Sequence, residues 1–310
     1  MRRLRRHTLN PREHARAIVE TVSAAWWNQY GTKALEVPLS VVGALMLRRF
    51  PEPGEPDVYS QIAALPPGAP LVHVLRWHWK EFVELRPDLI NPVWPLISWL
   101  YPGFGDERRG RDAMAVLPDD TEVTAARAII EAALRAGQLE LTGTEARFEV
   151  DLLGLLLQEL RARRDQQARG QFLTPVSVAD MMARMLISSN GTPDAGESWC
   201  EPAMGTGGML RAAAQAMREE GKDPTQVQWW GVDLDPLAVA CAAVNAVSWN
   251  LGPQIFFGVG NALLPGWEER TVAQRAETIA IAQQAQSRAA VRKVLALLGP
   301  AEPAPDPDES

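Results

Sequence analysis

The feature that most constrains the fold is an alternation of short apolar runs and helix-forming runs that begins at Gly170. The apolar runs are "ESWC", "VQWWGVD" and "QIFFGVGNAL", and helix-forming residues fill 209–220 and 237–249 between them. Strand, helix, strand, helix, strand in this order is typical of a right-handed parallel sheet. We therefore predict an α/β fold for this part of the chain.

The residues before Gly170 lack this alternation, and we predict that 1–150 form a mainly helical domain. Apolar residues recur at helical spacing in "REHARAIVETVSAAWW". Acidic residues before Val123 and a glycine at 137 mark the start and the end of a later helix. The stretch "QLELTGTEARFEV" predicts a hairpin around Thr142–Thr144. Four tryptophans are predicted to fill the helical core, although aromatic rings can also stack on nucleobases: Trp77, Trp79, Trp94 and Trp99.

Composition narrows the classes of function. The net charge of −7 means that the chain can hold nucleic acid only through a local basic face or a partner. The arginines at 2, 3, 5 and 6 offer such a face, and a solvated chain end is the alternative. No uncharged apolar run is long enough to predict a membrane span. Two cysteines predict neither a disulfide framework nor a zinc cluster, so we expect a cytoplasmic protein without a metal site.

A glycine-rich turn follows the first predicted strand and carries the functional signal. In "EPAMGTGG", Gly205 and Gly207 allow a sharp bend and a close approach to a ligand. The second strand ends at Asp233, 233 − 201 = 32 residues after Glu201, which is one βαβ unit. A carboxylate at that place commonly accepts hydrogen bonds from ribose hydroxyls. The turn therefore predicts a nucleoside-containing cofactor, with an ordinary βα turn whose glycines serve packing as the alternative.

The order of residues in the turn favours one cofactor. A dinucleotide site usually reads G-x-G-x-x-G, but here Leu210 stands where the third glycine belongs. Glu201 would repel a pyrophosphate, whereas its carboxylate can pair with a cationic amino acid group. S-adenosylmethionine carries both an ammonium group and a sulfonium. These features predict S-adenosylmethionine rather than NAD.

Three sequence words then point to a family. "GQFLTP" (170–175), "EPAMGTGGML" (201–210) and "GVDLDPLA" (231–238) make this chain similar to the N6-adenine DNA methyltransferases. It especially resembles the modification subunits of type I restriction systems, and the likeness runs from about Asp151 to about Leu264, including "DLLGLLLQEL". The resemblance implies a partial Rossmann-like methyltransferase sheet after the helical domain. It also implies methyl transfer to DNA adenine.

The resemblance assigns roles residue by residue. Phe172, Thr174 and Pro175 stand where the family contacts the methionine end of the cofactor. Local chemistry adds that Thr174 can cap a helix that has Pro175 at its first position. The implied cofactor loop comprises Glu201, Met204, Gly205, Thr206 and Gly207. Asp233 is implied at the ribose and Leu234 beside the adenine ring, and Asn261 replaces the usual aspartate that contacts the adenine amino group.

The family's catalytic motif is missing from the sequence. Its members use Asn-Pro-Pro-aromatic to hold an adenine that is flipped out of the duplex. After Leu264 the composition predicts a helix over 267–299 and a disordered acidic tail over 300–310. The partial match "NPVW" at 91–94 lacks the second proline; a permuted catalytic motif is one interpretation, but we favour Asn91 as a cap or turn residue and Trp94 as a packed side chain. The catalytic residues therefore stay unknown.

Three hypotheses follow for a chain with a methyltransferase-like domain at 151–266. The first is a DNA adenine-N6 methyltransferase that needs a partner to provide the target-base pocket. The second is a catalytically inactive cofactor-binding protein with a regulatory or DNA-binding role. The third is a helical binding module with a remnant that binds no small molecule. The partners implied by the resemblance are DNA, a specificity subunit or a second methylase chain, and an oligomer is compatible with the sequence. Without a neighbour on one side, the first strand would be an exposed edge, so we expect the C-terminal helix, a second copy or a separate chain to cover it.

Overall fold

A computed structural model describes residues 10–29, 34–47, 68–104, 115–162 and 174–298 of the chain. The helices are α1 (Pro11–Gln29), α2 (Glu36–Met46), α3 (Ala69–Leu85), α4 (Ile90–Ile97), α5 (Asp120–Arg135), α6 (Gln138–Thr142), α7 (Leu152–Ala162), α8 (Val176–Asn190), α9 (Gly208–Glu219), α10 (Pro236–Ser248) and α11 (Trp267–Leu298). The strands are β1 (Ser198–Glu201), β2 (Gln228–Asp233) and β3 (Ile255–Val259). Within these ranges, no helix combines the length and the apolar character that crossing a membrane requires.

The predicted fold class is confirmed, since a helical N-terminal part precedes a parallel sheet. The strands lie in the order β1-β2-β3, and both pairs are parallel. Trp199 aligns with Trp229, and Asp233 aligns with Val259. All three strands therefore present their carboxyl ends at one edge of the sheet, where parallel α/β proteins bind their ligands.

Helix α10 lies at the centre of the molecule and connects the sheet to the N-terminal helices. Residues 238–246 of this helix are all buried, because α2 and α4 pack on one side of it and β2 and β3 on the other. A single cluster of buried side chains runs from α1 to β3. The boundary that we predicted at residue 150 stays a prediction, but the apolar core crosses it.

Two predictions for the helical part are wrong. The stretch around Thr142–Thr144 forms α6 and a 3-10 turn (Glu145–Glu149), not a hairpin. The cause is Gly137, whose φ of 83° ends α5 and lets a new helix start at Gln138, which donates from Nε2 to the carbonyl of Val42 over 2.9 Å. Trp79 and Trp99 are core residues as predicted, whereas Trp77 and Trp94 are 47% and 39% exposed.

The side of β1 away from β2 carries no strand among the described residues. The carbonyl of Glu197 accepts from the amide of Gln228, so alternation along the strand directs the backbone groups of Ser198 and Cys200 to the open side. Helix α11 packs on β3 instead, where its Thr271 occupies the space beside Gly258. Helix α8, which packs on α9, has an exposed apolar side, with side chains between 39% and 62% exposed: Val178, Met181, Met182, Met185 and Leu186.

Candidate functional site

The glycine turn connects β1 to α9 and has a defined backbone shape. Gly205 and Gly207 have φ values of 53° and 90°, a region that side-chain-bearing residues rarely adopt. The amide of Met204 donates to the carbonyl of Val232 over 3.1 Å, which fastens the turn to β2. A Cβ atom on Gly207 would lie 3.1 Å from the ring of Trp249. Both glycines that the sequence singled out are therefore required by the backbone or by close packing.

Asp233, at the end of β2, forms a further attachment for the turn. Its Oδ2 accepts a hydrogen bond from the amide of Gly205 over 2.9 Å, and its Oδ1 accepts one from the amide of Asp235 over 2.9 Å. Asp235 caps α10 by accepting from the amide of Leu237, and it pairs with Arg161 of α7. Each carboxylate oxygen of Asp233 keeps a second lone pair for another donor. The residue can therefore order the turn and bind a ligand at once.

A cavity of about 880 Å³ opens between the turn, α1, α7 and the start of α8. Cavities of this size hold ligands as large as cofactors. Six of the predicted site residues line it: Thr174, Pro175, Met204, Gly205, Thr206 and Asp233. The structure therefore brings the turn, the end of β2 and the segment before α8 around one space.

Comparison with known proteins identifies the part of the chain that carries this site. Residues 151–276 match the family model described as N-6 DNA Methylase. This segment is therefore similar to the N-6 DNA methylase family. The resemblance that we drew from three sequence words is thus confirmed, and every predicted site residue lies inside the segment.

The chain is also similar to a solved structure. The solved structure is that of the methyltransferase subunit of a type I restriction-modification system from Streptococcus thermophilus, with 14% sequence identity and a TM-score of 0.44. The likeness covers 83% of this chain and 60% of that one, so the chain spans about 60% of the length of that subunit. No curated protein matches the chain.

Four other predicted site residues lie outside the lining of the cavity: Glu201, Gly207, Leu234 and Asn261. Glu201 ends β1 and is half-buried, and Leu234 follows β2 with 70% of its surface exposed. Asn261 follows β3, and its Oδ1 accepts from the amide of Leu263 over 2.9 Å. Gly207 faces Trp249, and Phe172 lies outside the described residues. The binding roles given to these residues remain predictions.

One local prediction near the cavity is wrong. We predicted that Thr174 caps α8 with Pro175 at its first position, but α8 begins at Val176 and Pro175 is its N-cap. The carbonyl of Pro175 accepts from the amides of Val178 and Ala179 over 2.9 and 3.0 Å, and no side chain caps the helix. The cause is the extended ψ of Pro175, 138°, which starts the helix one residue later.

The partial motif "NPVW" lies in α4 and does not line the cavity. Asn91 is exposed, and the ring of Trp94 stacks with that of Tyr101 at a centroid distance of 6.4 Å. This placement agrees with a structural role, although Asn91 belongs to a helix and not to the predicted turn.

Sequence reasoning missed two polar residues behind the turn, Asp151 and Asn245. Both are buried, and both form hydrogen bonds with Thr206. An available signal was a single asparagine within the otherwise small and apolar run "ACAAVNAV" of α10. Buried amides are usually hydrogen-bonded, so an isolated one indicates a buried partner.

Proposed function

We propose that this chain binds S-adenosylmethionine in the cavity and serves methyl transfer to N6 of adenine in DNA. The observation that carries the proposal is the convergence of Gly205 and Asp233 on one cavity within an N-6 DNA methylase segment. In this assignment the free lone pairs of Asp233 accept from the ribose hydroxyls. Glu201 pairs with the ammonium group of the cofactor. The proposal keeps the cytoplasmic location that the two cysteines predict.

The remaining cofactor contacts in the proposal follow the predicted positions. Leu234 lies beside the adenine ring, and the amide oxygen of Asn261 accepts from the adenine amino group. The segment before α8 covers the methionine end through Thr174 and Pro175, together with Phe172. When bound, S-adenosylmethionine supplies a methyl group on a sulfonium centre, and the residues of this chain bind and orient it.

The target base requires a second component in this proposal. The 310 residues contain no Asn-Pro-Pro-aromatic sequence that could hold a flipped adenine. Among the described residues no strand pairs with the outer side of β1, so this side offers backbone donors and acceptors to an added strand, and α8 exposes an apolar side of its own. We propose that a second methylase chain joins there and provides the base pocket. A catalytically inactive cofactor-binding protein is the second candidate, and the missing motif favours it.

The proposal predicts that the chain alone binds S-adenosylmethionine but transfers no methyl group. Isothermal titration calorimetry measures the binding, and transfer of a tritiated methyl group to unmethylated genomic DNA measures the reaction. Transfer should appear when a second methylase chain that carries Asn-Pro-Pro-aromatic is co-expressed. An absence of binding would refute the proposal, and binding without transfer under co-expression would favour the second candidate.

The proposed role of Glu201 predicts a pH dependence. Burial raises the pKa of the Glu201 carboxyl above its ordinary value, while the amide of Ala203, which donates to it over 3.3 Å, opposes this shift. Lowering the pH through this raised pKa neutralises the carboxylate, so the affinity for S-adenosylmethionine should fall. Calorimetry from about pH 8 to about pH 5 measures the effect. Glu201→Gln should bind more weakly at neutral pH and lose most of the pH dependence, and an unchanged dependence would contradict the role.

A further inference from the structure

A second carboxylate, that of the buried Asp151, contacts the glycine turn and lines the same cavity as Asp233. Asp151 directly precedes α7 and is only 8% exposed. Its Oδ1 accepts from the amide of Gly154 and from Nδ2 of Asn245, both over 2.7 Å, and its Oδ2 accepts from the hydroxyl of Thr206 over 2.5 Å. Three donors from three separate parts of the chain therefore converge on one side chain.

Thr206 is the residue between the two glycines that have positive φ, and it is fully buried. Its hydroxyl is held by Asp151, and its carbonyl accepts from Nδ2 of Asn245 over 2.9 Å. The amide of Asn245 thus bridges the carboxylate of Asp151 and the backbone of the turn. The positions of both the side chain and the backbone of Thr206 are consequently set by residues outside the turn.

Gly154 packs closely against Asp151 and Thr206. A Cβ atom on Gly154 would lie 2.2 Å from Oδ2 of Asp151 and 2.5 Å from the hydroxyl oxygen of Thr206. The indole nitrogen of Trp249 donates to the carbonyl of Val150 over 3.0 Å, and the same ring contacts Gly207. The turn therefore packs against the start of α7 at Thr206 and against the residue that follows α10, Trp249, at Gly207.

The chemistry of this cluster suits a positioning role better than a purely stabilising one. A carboxylate accepts hydrogen bonds from all three donors, whereas an uncharged amide of the same shape would turn its own donors toward them. Burying a charge costs free energy, and apolar replacements of buried ion pairs are often neutral or stabilising. All three hydrogen bonds to Asp151 are made, although the buried Oδ1 of Asn245 has no partner among the described residues, and such linked hydrogen bonds restrict the groups that they join to one conformation.

We infer that Asp151 is a positioning residue that fixes the glycine turn through the Thr206 hydroxyl and the Asn245 amide, so that the amide of Gly205 meets Asp233 at the cofactor cavity. The identity of the ligand rests on the proposed function. The effect of Asp151 on the conformation of the turn does not rest on that function, because Asp151 contacts the turn whether or not a ligand is bound.

The test compares Thr206→Val, which keeps the shape of the side chain but removes the hydroxyl, with Thr206→Ser, which restores a hydroxyl. Two readouts are taken: the dissociation constant for S-adenosylmethionine by calorimetry, and amide hydrogen exchange of peptides that contain 203–209 in the ligand-free protein. Thr142→Val is the matched control. Thr142 is also buried, and its hydroxyl donates to the carbonyl of Gln138 inside α6 over 3.0 Å.

We expect Thr206→Val to weaken binding about 10-fold and to speed exchange in 203–209, because it removes a hydrogen bond to a charged group. Thr206→Ser should recover most of both losses, and Thr142→Val should change neither readout. Asp151→Asn should weaken binding at least as much, and Asp151→Asn with Thr206→Val should be no weaker than Asp151→Asn alone, since the two residues act together. If Asp151→Asn does not fold, the comparison of Thr206→Val with Thr206→Ser still tests the inference.

Two results would overturn the inference. Wild-type affinity and exchange in Thr206→Val would show that the hydroxyl contact positions nothing. Equal losses in Thr206→Ser and Thr206→Val would show that packing, and not the hydroxyl, orders the turn. If the wild-type chain fails to bind S-adenosylmethionine while Thr206→Val still speeds exchange in the turn, the proposed function is refuted and the positioning role is supported.

Discussion

Asp233→Ala is expected to weaken the binding of S-adenosylmethionine by about 100-fold or more. The carboxylate would lose its bonds to two ribose hydroxyls, and hydrogen bonds to charged groups contribute about 1.5–3 kcal/mol each. The same substitution frees the amide of Gly205, which donates to Asp233 over 2.9 Å, so the turn loses one of its attachments. Both effects act in the same direction, and calorimetry on the purified variant measures their sum.

Asp223→Ala is a matched control for this substitution. Asp223 also accepts two hydrogen bonds at a turn, from the amide and the hydroxyl of Thr225, but it is exposed and does not line the cavity. Its replacement should leave the affinity for S-adenosylmethionine unchanged. If Asp233→Ala binds as tightly as Asp223→Ala, then Asp233 does not contact the ligand and the proposed cofactor site is wrong.

Gly207→Ala and Gly208→Ala should have opposite effects, although the two residues are adjacent. Gly207 has a φ of 90°, and an added Cβ would lie 3.1 Å from the ring of Trp249, so alanine there brings both backbone strain and a close contact. We expect the free energy of unfolding to fall by about 1–3 kcal/mol and the cofactor affinity to fall with it. Gly208 is the first residue of α9 and has open space around its Cβ position. Alanine there should be neutral or stabilising by up to about 1 kcal/mol.

Denaturant unfolding of the two variants, followed by calorimetry of each with S-adenosylmethionine, measures this contrast. Equal stability of the two variants would mean that the turn does not have the backbone shape described above. A stable Gly207→Ala variant that binds normally would show that the close approach of the turn to Trp249 is dispensable.

The sheet and the rim of the site could be predicted from the sequence because their signals are local. Each strand is a short apolar run, and the turn and Asp233 occupy fixed places at strand ends. Asp119, which accepts from the amide of Thr121, illustrates how a cap marks a helix start in the sequence. Such features depend on residues that are close together in the chain, so they can be predicted from the sequence alone.

The network around Asp151 could not be predicted in the same way. Its hydrogen bonds to Thr206 and Asn245 connect residues that are 55 and 94 positions apart. An aspartate before an apolar helix looks like an ordinary cap, and its bond to the amide of Gly154 is indeed of that kind. Its proposed role in fixing the glycine turn depends on the tertiary packing that brings α7, α10 and the turn together.

The wrong predictions have a common physical cause. The threonine-rich stretch at 142–144 has the composition of a strand turn, but the buried side chains of Gln138 and Leu141 hold the preceding residues in a helix. Trp77 and Trp94 have apolar rings, yet they lie on the outer sides of α3 and α4. In each case tertiary packing decides the outcome over local propensity.

The free side of β1 has a practical consequence for work with the purified chain. Within the described part of the chain no strand pairs with the backbone groups of Ser198 and Cys200 there, so a second molecule can pair its own β1 with them in antiparallel orientation. Concentrated preparations should therefore lose monodispersity and drift toward larger particles. Titrations are best made dilute, with light scattering recorded on the same sample.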